Sequence, residues 1–264
     1  VRRFTEAYLR DTRRGLWEDR EALAPLFRGE PERILDVGAG TGEFTRVLRE
    51  ESGGWVVSLD ADASLLRAGA VETPIQGDAT RLPIPDRTFD LTACQALLVN
   101  LPDPDRAIRE LMRVSADRVA AVEPDNSAVT VESTVENEAT LASRARAHYL
   151  DGLETDASLG ADLGVRFERA GLREVAVTKH VHERRIEPPY SEAAMESARR
   201  KVTATRIDAH RETMLAGDLE RADFDRLRDK WQAMGRAVAE QVQAGTYRRI
   251  ERIPFYVAVG QIEH

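Results

Sequence analysis

The sequence predicts an α/β fold: a largely parallel sheet covered by helices on both faces. Three observations carry this expectation. Between residues 33 and 124, short apolar runs alternate with helix-like segments, and strands that alternate with helices of this length need the crossovers of a parallel sheet. Right-handed crossovers bring the C-terminal ends of all those strands to one edge, and that edge collects Asp36, Asp60, Asp78, Cys94 and Glu123. The length, 264 residues, suffices to bury one sizeable core.

The elements follow in order. Residues 4–27 read as an amphipathic helix, with Phe4, Tyr8, Leu16, Leu23 and Phe27 at helical spacing, until "GEPE" breaks the pattern. "RILDVG" (33–38) is a short strand, and "GEFTRVLREE" (42–51) a helix stopped by Gly53 and Gly54. "WVVSLD" (55–60) is a second strand, and "DASLLRAGA" (62–70) a helix with Asp62 as its N-cap. "TPIQGD" (73–78) and "TFDLTAC" (88–94) are the third and fourth strands. "PDRAIRELMRV" (104–114) is a helix, and "RVAAVEP" (118–124) the fifth strand. Beyond that point, 130–150 and 160–171 read as helical, 174–186 alternates like a strand, 191–215 and 218–242 read as two helices, and 253–262 is a closing strand. The expected organisation is a single domain over 1–264. It has an N-terminal helical cap (1–29), a binding core (30–125), the remaining sheet and helices (126–187 and 244–264), and a helical lid (188–243).

Composition narrows the function. With 38 basic and 46 acidic side chains the formal net charge is −8, and neither half carries a basic excess, so no nucleic-acid partner is expected. No apolar run nears the roughly 18 residues of a membrane span, and the basic start lacks the apolar stretch of a signal peptide. One cysteine, Cys94, allows neither an internal disulfide nor a multi-cysteine zinc site. A cytoplasmic protein without metal is expected.

The sharpest signal is "ILDVGAGTGEF" (34–44). A dinucleotide fingerprint needs G-x-G-x-x-G. Here the third glycine, Gly42, comes one residue early and Glu43 stands in its place. The Gly-Lys-Ser/Thr of a phosphate loop is absent, and Asp36 just before the loop would repel phosphate and attract an ammonium or sulfonium. Asp60 can accept hydrogen bonds from both ribose hydroxyls. Asp78 can accept from the adenine amine while the Ala79 N–H donates to a ring nitrogen. The ligand so described is an adenosine with a cationic, amino-acid-like tail and no phosphate, and S-adenosylmethionine answers to it.

Taken as an ordered set, "ILDVGAGTG", "VVSLDAD", "GDATRLPIPDRTFDL", "LPDPDRAIRELMRV" and "AAVEP" resemble class I S-adenosylmethionine-dependent methyltransferases, in the broad group that includes the ubiquinone/menaquinone-biosynthesis type. The resemblance covers about residues 30–125. It implies a Rossmann-like, doubly wound, seven-stranded sheet with the last strand antiparallel, matching "IPFYVAVGQI". It further implies a cofactor set of Asp36, Gly38, Ala39, Gly40, Gly42, Asp60, Ala61, Asp78, Ala79, Cys94 and Gln95. Within it Asp36 faces the amino group, Asp62 stands near the adenine, and Cys94 and Gln95 line the floor below the methyl donor.

Methyl transfer from a sulfonium is an in-line displacement that asks chiefly for alignment and exclusion of water. A base is needed only if the acceptor must lose a proton, and His148, His180, His182, His210 and Tyr190 are the candidates; none is singled out. The fourth strand ends "TACQAL", without the motifs of base-methylating enzymes, so the expected acceptor is a small molecule. Two other classes compete: a protein of the same fold that holds the cofactor without turnover, and a nicotinamide-dependent oxidoreductase, against which Glu43 and Asp78 argue.

Overall fold

The computed structural model describes residues 6–13, 15–69 and 71–263, with backbone alone at 7, 8, 10 and 11. In chain order its elements are α1 (Glu6–Arg13), a 3-10 turn (Glu21–Phe27), β1 (Arg33–Val37), α2 (Glu43–Ser52), β2 (Trp55–Asp60), α3 (Ala63–Ala68) and β3 (Pro74–Gln76). Then come β4 (Phe89–Gln95), α4 (Pro104–Val114), β5 (Ser115–Pro124), β6 (Thr130–Ser133), α5 (Glu138–Asp151), α6 (Leu163–Ala170) and β7 (Arg173–Ile186). The chain closes with α7 (Glu192–Val202), α8 (Thr205–Ala209), α9 (Arg211–Ala216), α10 (Arg221–Gln243) and β8 (Arg249–Gln261).

Two compact units result. The first comprises Val1–Asp125, Ser158–His180 and Phe255–His264; the second comprises Asn126–Ala157 and Val181–Pro254. The sequence expects one domain with a helical lid over 188–243; the second unit holds that segment together with 126–157, 181–187 and 244–254. Strands β7 and β8 supply residues to both units.

In the first unit, β3, β2, β1, β4 and β5 are parallel neighbours, and β8 joins β5 antiparallel, from Arg118↔Gln261 to Pro124↔Phe255. Strand β7 pairs with β8, which completes the seven strands expected. An eighth, β6, pairs antiparallel with the beginning of β8 in the second unit, Thr130↔Arg252 to Ser133↔Arg249, where the sequence reading had only helix. The chain order reverses between β1 and β4, and the C-terminal edge at such a switch point is where open α/β sheets take ligands.

Local chemistry explains the helices that frame this edge. Asp103 caps α4 by accepting from the Arg106 N–H at 3.0 Å, and Pro104 occupies the first turn, where its missing N–H costs nothing. Ala107, Ile108, Leu111 and Val114 then bury one face of α4 against a core that includes Leu35, Val37, Leu59, Cys94 and Val119. Asp62 caps α3 through the Ser64 N–H at 2.9 Å, as the sequence predicts. The helix expected over 4–27 is interrupted: α1 ends at Arg13, and Glu21–Phe27 is a 3-10 turn containing Pro25. Phe4 and the Tyr8 side chain lie outside the described residues.

In the second unit, Phe224, Leu227, Trp231, Met234 and Val238 of α10 form one stripe packed with Ile207, Met214 and Leu219. The stripe is core, as such spacing usually is.

Candidate functional site

The glycine loop leaves β1 in a tight left-handed turn. Gly38 has φ +74° and Gly42 φ +81°, conformations that side chains resist. A Cβ at Gly38 would stand 2.8 Å from Leu97 Cδ1, and one at Gly42 2.5 Å from Val71 Cγ1. The Gly38 and Ala39 N–H groups both donate to the Leu59 carbonyl, at 2.7 and 3.0 Å, so the end of β2 holds the loop in place.

Asp60 finishes that clamp. Its Oδ2 accepts from the Gly40 N–H and its Oδ1 from the Asp62 N–H, both at 2.8 Å. Each carboxylate oxygen has two acceptor sites, so Asp60 can fix the loop and still receive two further donors.

Asp36 is fully buried on β1, opposite Ala93 of β4. Its Oδ2 accepts from the Thr45 hydroxyl at 2.6 Å, and Thr45 also meets the Ser58 hydroxyl at 3.0 Å. The other oxygen, Oδ1, is buried without a partner. Burial raises the Asp36 carboxyl to about 7, against the opposing effects of Thr45 and the Arg13 charge. A buried acceptor in want of a donor is costly and marks a place for a cationic or N–H-bearing ligand group.

Asp78 lies beyond the end of β3, which stops at Gln76. The acid sits in an exposed turn where Oδ1 accepts from the Thr80 N–H and hydroxyl, both at 2.8 Å. Those bonds, with a lesser effect of the Arg106 charge, hold its carboxyl below the usual range against the opposing effect of burial. Ala79 is buried beside it and Ala61 is exposed. Cys94 is enclosed in the core, 3.9 Å from Glu123 Oε1, and burial, then the charges of Glu123 and Asp36, push its thiol well up. Gln95 is buried and accepts from the Trp17 indole N–H at 2.8 Å.

A cleft of about 940 Å³ opens at this edge, lined among others by Trp17, Thr41, Gly42, Thr45, Val71 and Gln95. Asp36, Asp60 and Asp78 are not among its lining residues, although Thr45, the partner of Asp36, is. Trp17 also stacks on His180, ring centres 5.2 Å apart, and His180 Nε2 lies 3.0 Å from the Leu16 carbonyl. Of the other base candidates, His148 and His210 are half-buried, His182 is buried, and Tyr190 donates to the Tyr247 carbonyl at 3.0 Å. Among the described residues no group of three or more His, Cys, Asp or Glu is placed to hold a metal ion.

Two features escaped the sequence reading: the partners of Glu123 and the role of Thr45. Glu123, which the sequence places at this edge, lies fully buried near the end of β5 and accepts from the N–H groups of Leu97, Leu98 and Val99 at 2.9, 2.8 and 3.3 Å. Burial raises it to about 7 against those bonds. Thr45, the partner of Asp36, follows the loop by three residues and carries no signal of its own. Glu43 adds a negative charge at the start of α2, where the Thr41 hydroxyl bonds it at 2.7 Å. An acid there competes with any phosphate for the helix N-terminus.

The family profile described as a methyltransferase domain matches residues 35–122. That segment runs from β1 to β5 and contains the glycine loop, Asp60 and Asp78. The demethylmenaquinone methyltransferase of Mycolicibacterium paratuberculosis is 39% identical over 89 residues, covering 33% of this chain and 38% of that protein. That of Mycobacterium tuberculosis strain H37Rv is 38% identical over 98 residues, 36% of this chain and 42% of the relative. The chain thus matches about two fifths of the length of these relatives. The crystal structure of the YcgJ protein from Bacillus subtilis shares the fold, with a TM-score of 0.50 and 16% identity over 92% of this chain and 99% of its own. Among the described residues, no helix is long and apolar enough to cross a membrane.

Proposed function

We propose that the protein binds S-adenosylmethionine at the edge formed by β1, β2 and β4 and transfers its methyl group to a small-molecule acceptor. The observation that carries this reading is Asp36, whose Oδ1 is buried without a partner beside a glycine loop. The donor set suits a cationic nucleoside. When bound, the cofactor supplies a methyl group already activated by the positive sulfur.

The chain's own residues bind, align and exclude water. Asp36 would hold the amino group, and the loop Gly38, Ala39, Gly40 and Gly42 would let the backbone approach the tail and ribose. Asp60 would receive the ribose hydroxyls with the acceptor sites left by Gly40 and Asp62. Ala61, Asp62, Asp78 and Ala79 would frame the adenine. Cys94 would serve through its backbone at the end of β4, and Gln95, held by Trp17, would border the reacting methyl. Alignment alone contributes much of such a reaction's acceleration. A cytoplasmic location without nucleic-acid or membrane partner belongs to the same reading; the lone cysteine supports the first and the acidic balance of charge the lack of a nucleic-acid partner.

Two measurements test it. Calorimetry of S-adenosylhomocysteine binding should show Asp60→Ala weakening affinity at least several-fold, since buried donors lose their acceptor. Unchanged affinity removes Asp60 from the site. Turnover is read as S-adenosylhomocysteine formed with candidate acceptors. The names of the mycobacterial relatives make a quinol-type ring the first to try. Binding without product for any acceptor would favour a cofactor-holding sensor.

A further inference from the structure

The second unit gathers positive charge around one carboxylate. Arg249 and Glu251 are two residues apart on β8 and so share a face, and Arg249 Nη2 donates to Glu251 Oε1 at 3.0 Å. Arg146 of α5 reaches the same oxygen at 3.3 Å while its Nη1 donates to the Val129 carbonyl at 2.9 Å. Arg184 of β7 borders the group, 3.8 Å from Glu251 Oε2. Arg206 of α8 is exposed, acts on both Arg146 and Glu251 through its charge, and has no acid within ion-pair distance among the described residues.

The neighbouring carboxylate, Glu138, is shared between this group and other donors. Glu138 already accepts from Lys201 Nζ at 2.5 Å, the Tyr247 hydroxyl at 3.0 Å and the Ser133 hydroxyl at 2.5 Å. Arg249 Nε forms an ion pair with Glu138 Oε1 at 3.3 Å, but the buried Nε lacks a hydrogen-bond acceptor. Arg252, on the opposite face of β8, is separately matched by Glu132 and Glu183. Setting Arg184 aside, the carboxylates that the described residues set among Arg146, Arg206, Arg249 and Lys201 are Glu138 and Glu251. Cations so clustered repel, and removing them from water adds to the cost. Arg146 shows it: burial first, then Arg206 and Arg249, disfavour its charge against the help of Glu251. The network leaves guanidinium donors over, Arg249 Nε among them, in a chain whose net charge is −8.

Guanidinium forks match the oxygens of carboxylate and phosphate. We propose that Arg146, Arg206 and Arg249 form an anion-binding site for a ligand that carries a phosphate or carboxylate group. The site is independent of the methyl-transfer reading and stands or falls separately.

The test is calorimetric titration of the full chain with inorganic phosphate and, in parallel, acetate, at constant ionic strength maintained with chloride. Saturable binding of at least one is expected, and the preferred one names the ligand class. Arg206→Gln, an exposed change that spares the fold, should weaken binding about tenfold, the loss of one charge-assisted contact, and Arg206→Glu should abolish it. Arg169→Gln, an exposed control in the first unit, should leave it unchanged. The proposal fails if neither anion saturates, if Arg206→Glu binds like the parent, or if Arg169→Gln weakens binding as much as Arg206→Gln.

Discussion

At the scale of the residue, Asp36 sets the chemistry. Its raised value of about 7 means that the fold favours the neutral acid. The stability so gained is fully present below the ordinary value of 3.8 and is lost as pH rises through about 7. A cationic group delivered to Oδ1 reverses the preference, because it needs the carboxylate. Binding of S-adenosylhomocysteine therefore releases a proton below that value. Its affinity should improve by up to tenfold per unit between about pH 5 and about pH 7 and level off above. Asp36→Asn should bind weakly and flatten the profile. Calorimetry across that range checks both, and a parent profile as flat as that of Asp36→Asn would remove Asp36 from contact with the charge. Glu123 titrates near the same value, but its three backbone donors lie outside the loop, so the Asp36 variant separates the two.

At the scale of the element, helix α2 is bounded by two left-handed glycines that do different work. Gly53 ends it at φ +65° with nothing within 4 Å of an added Cβ, whereas Gly42 begins it at φ +81° with Val71 in the way. Gly53→Ala should cost about 1 kcal/mol of backbone strain. Gly42→Ala should cost more by the clash with a branched, stiff side chain. Urea midpoints compare them, and equal losses would mean that Val71 yields freely. Such positions were legible in the sequence because glycine spacing reports backbone need directly. So were the cap of α3 at Asp62 and the bounds of α4, where Asp103 and Pro104 write the start. Other features were hidden. Strand β3 is shorter than its apolar run because Gly77 and Asp78 turn away. Strand β6 reads as the front of a helix because four residues show no usable period, and its pairing with β8 is far off in sequence. The helix read over 191–215 is three, divided where Ala204 adopts φ +54° and His210 leaves helical geometry; tertiary packing, not composition, decides both breaks. In the site, the acids were visible, while the partners of Asp36 and Glu123 were not. A hydroxyl at Thr45 and the N–H groups of Leu97, Leu98 and Val99 become relevant only when β1, β4 and β5 lie side by side.

At the scale of the whole molecule, ligand choice should appear as stability. A ligand that binds only the folded chain raises its stability by mass action, about 2.7 kcal/mol at a hundred times Kd. For a chain of this size that corresponds to an upward shift in Tm of several degrees, at roughly 2–4 °C per kcal/mol. S-adenosylhomocysteine should produce that shift and NAD none, for reasons the edge of the sheet supplies. NAD would bring its pyrophosphate to the start of α2, where Glu43 accepts from the Thr41 hydroxyl and engages Arg13 at 3.8 Å. The sulfur nucleoside brings no phosphate and offers Asp36 the cation it lacks. Differential scanning calorimetry with each compound at the same concentration decides between them. A shift with NAD alone would mean that the carboxylates of β1 and β2 serve a dinucleotide after all, and a shift with neither would leave the glycine loop as a turn between strand and helix.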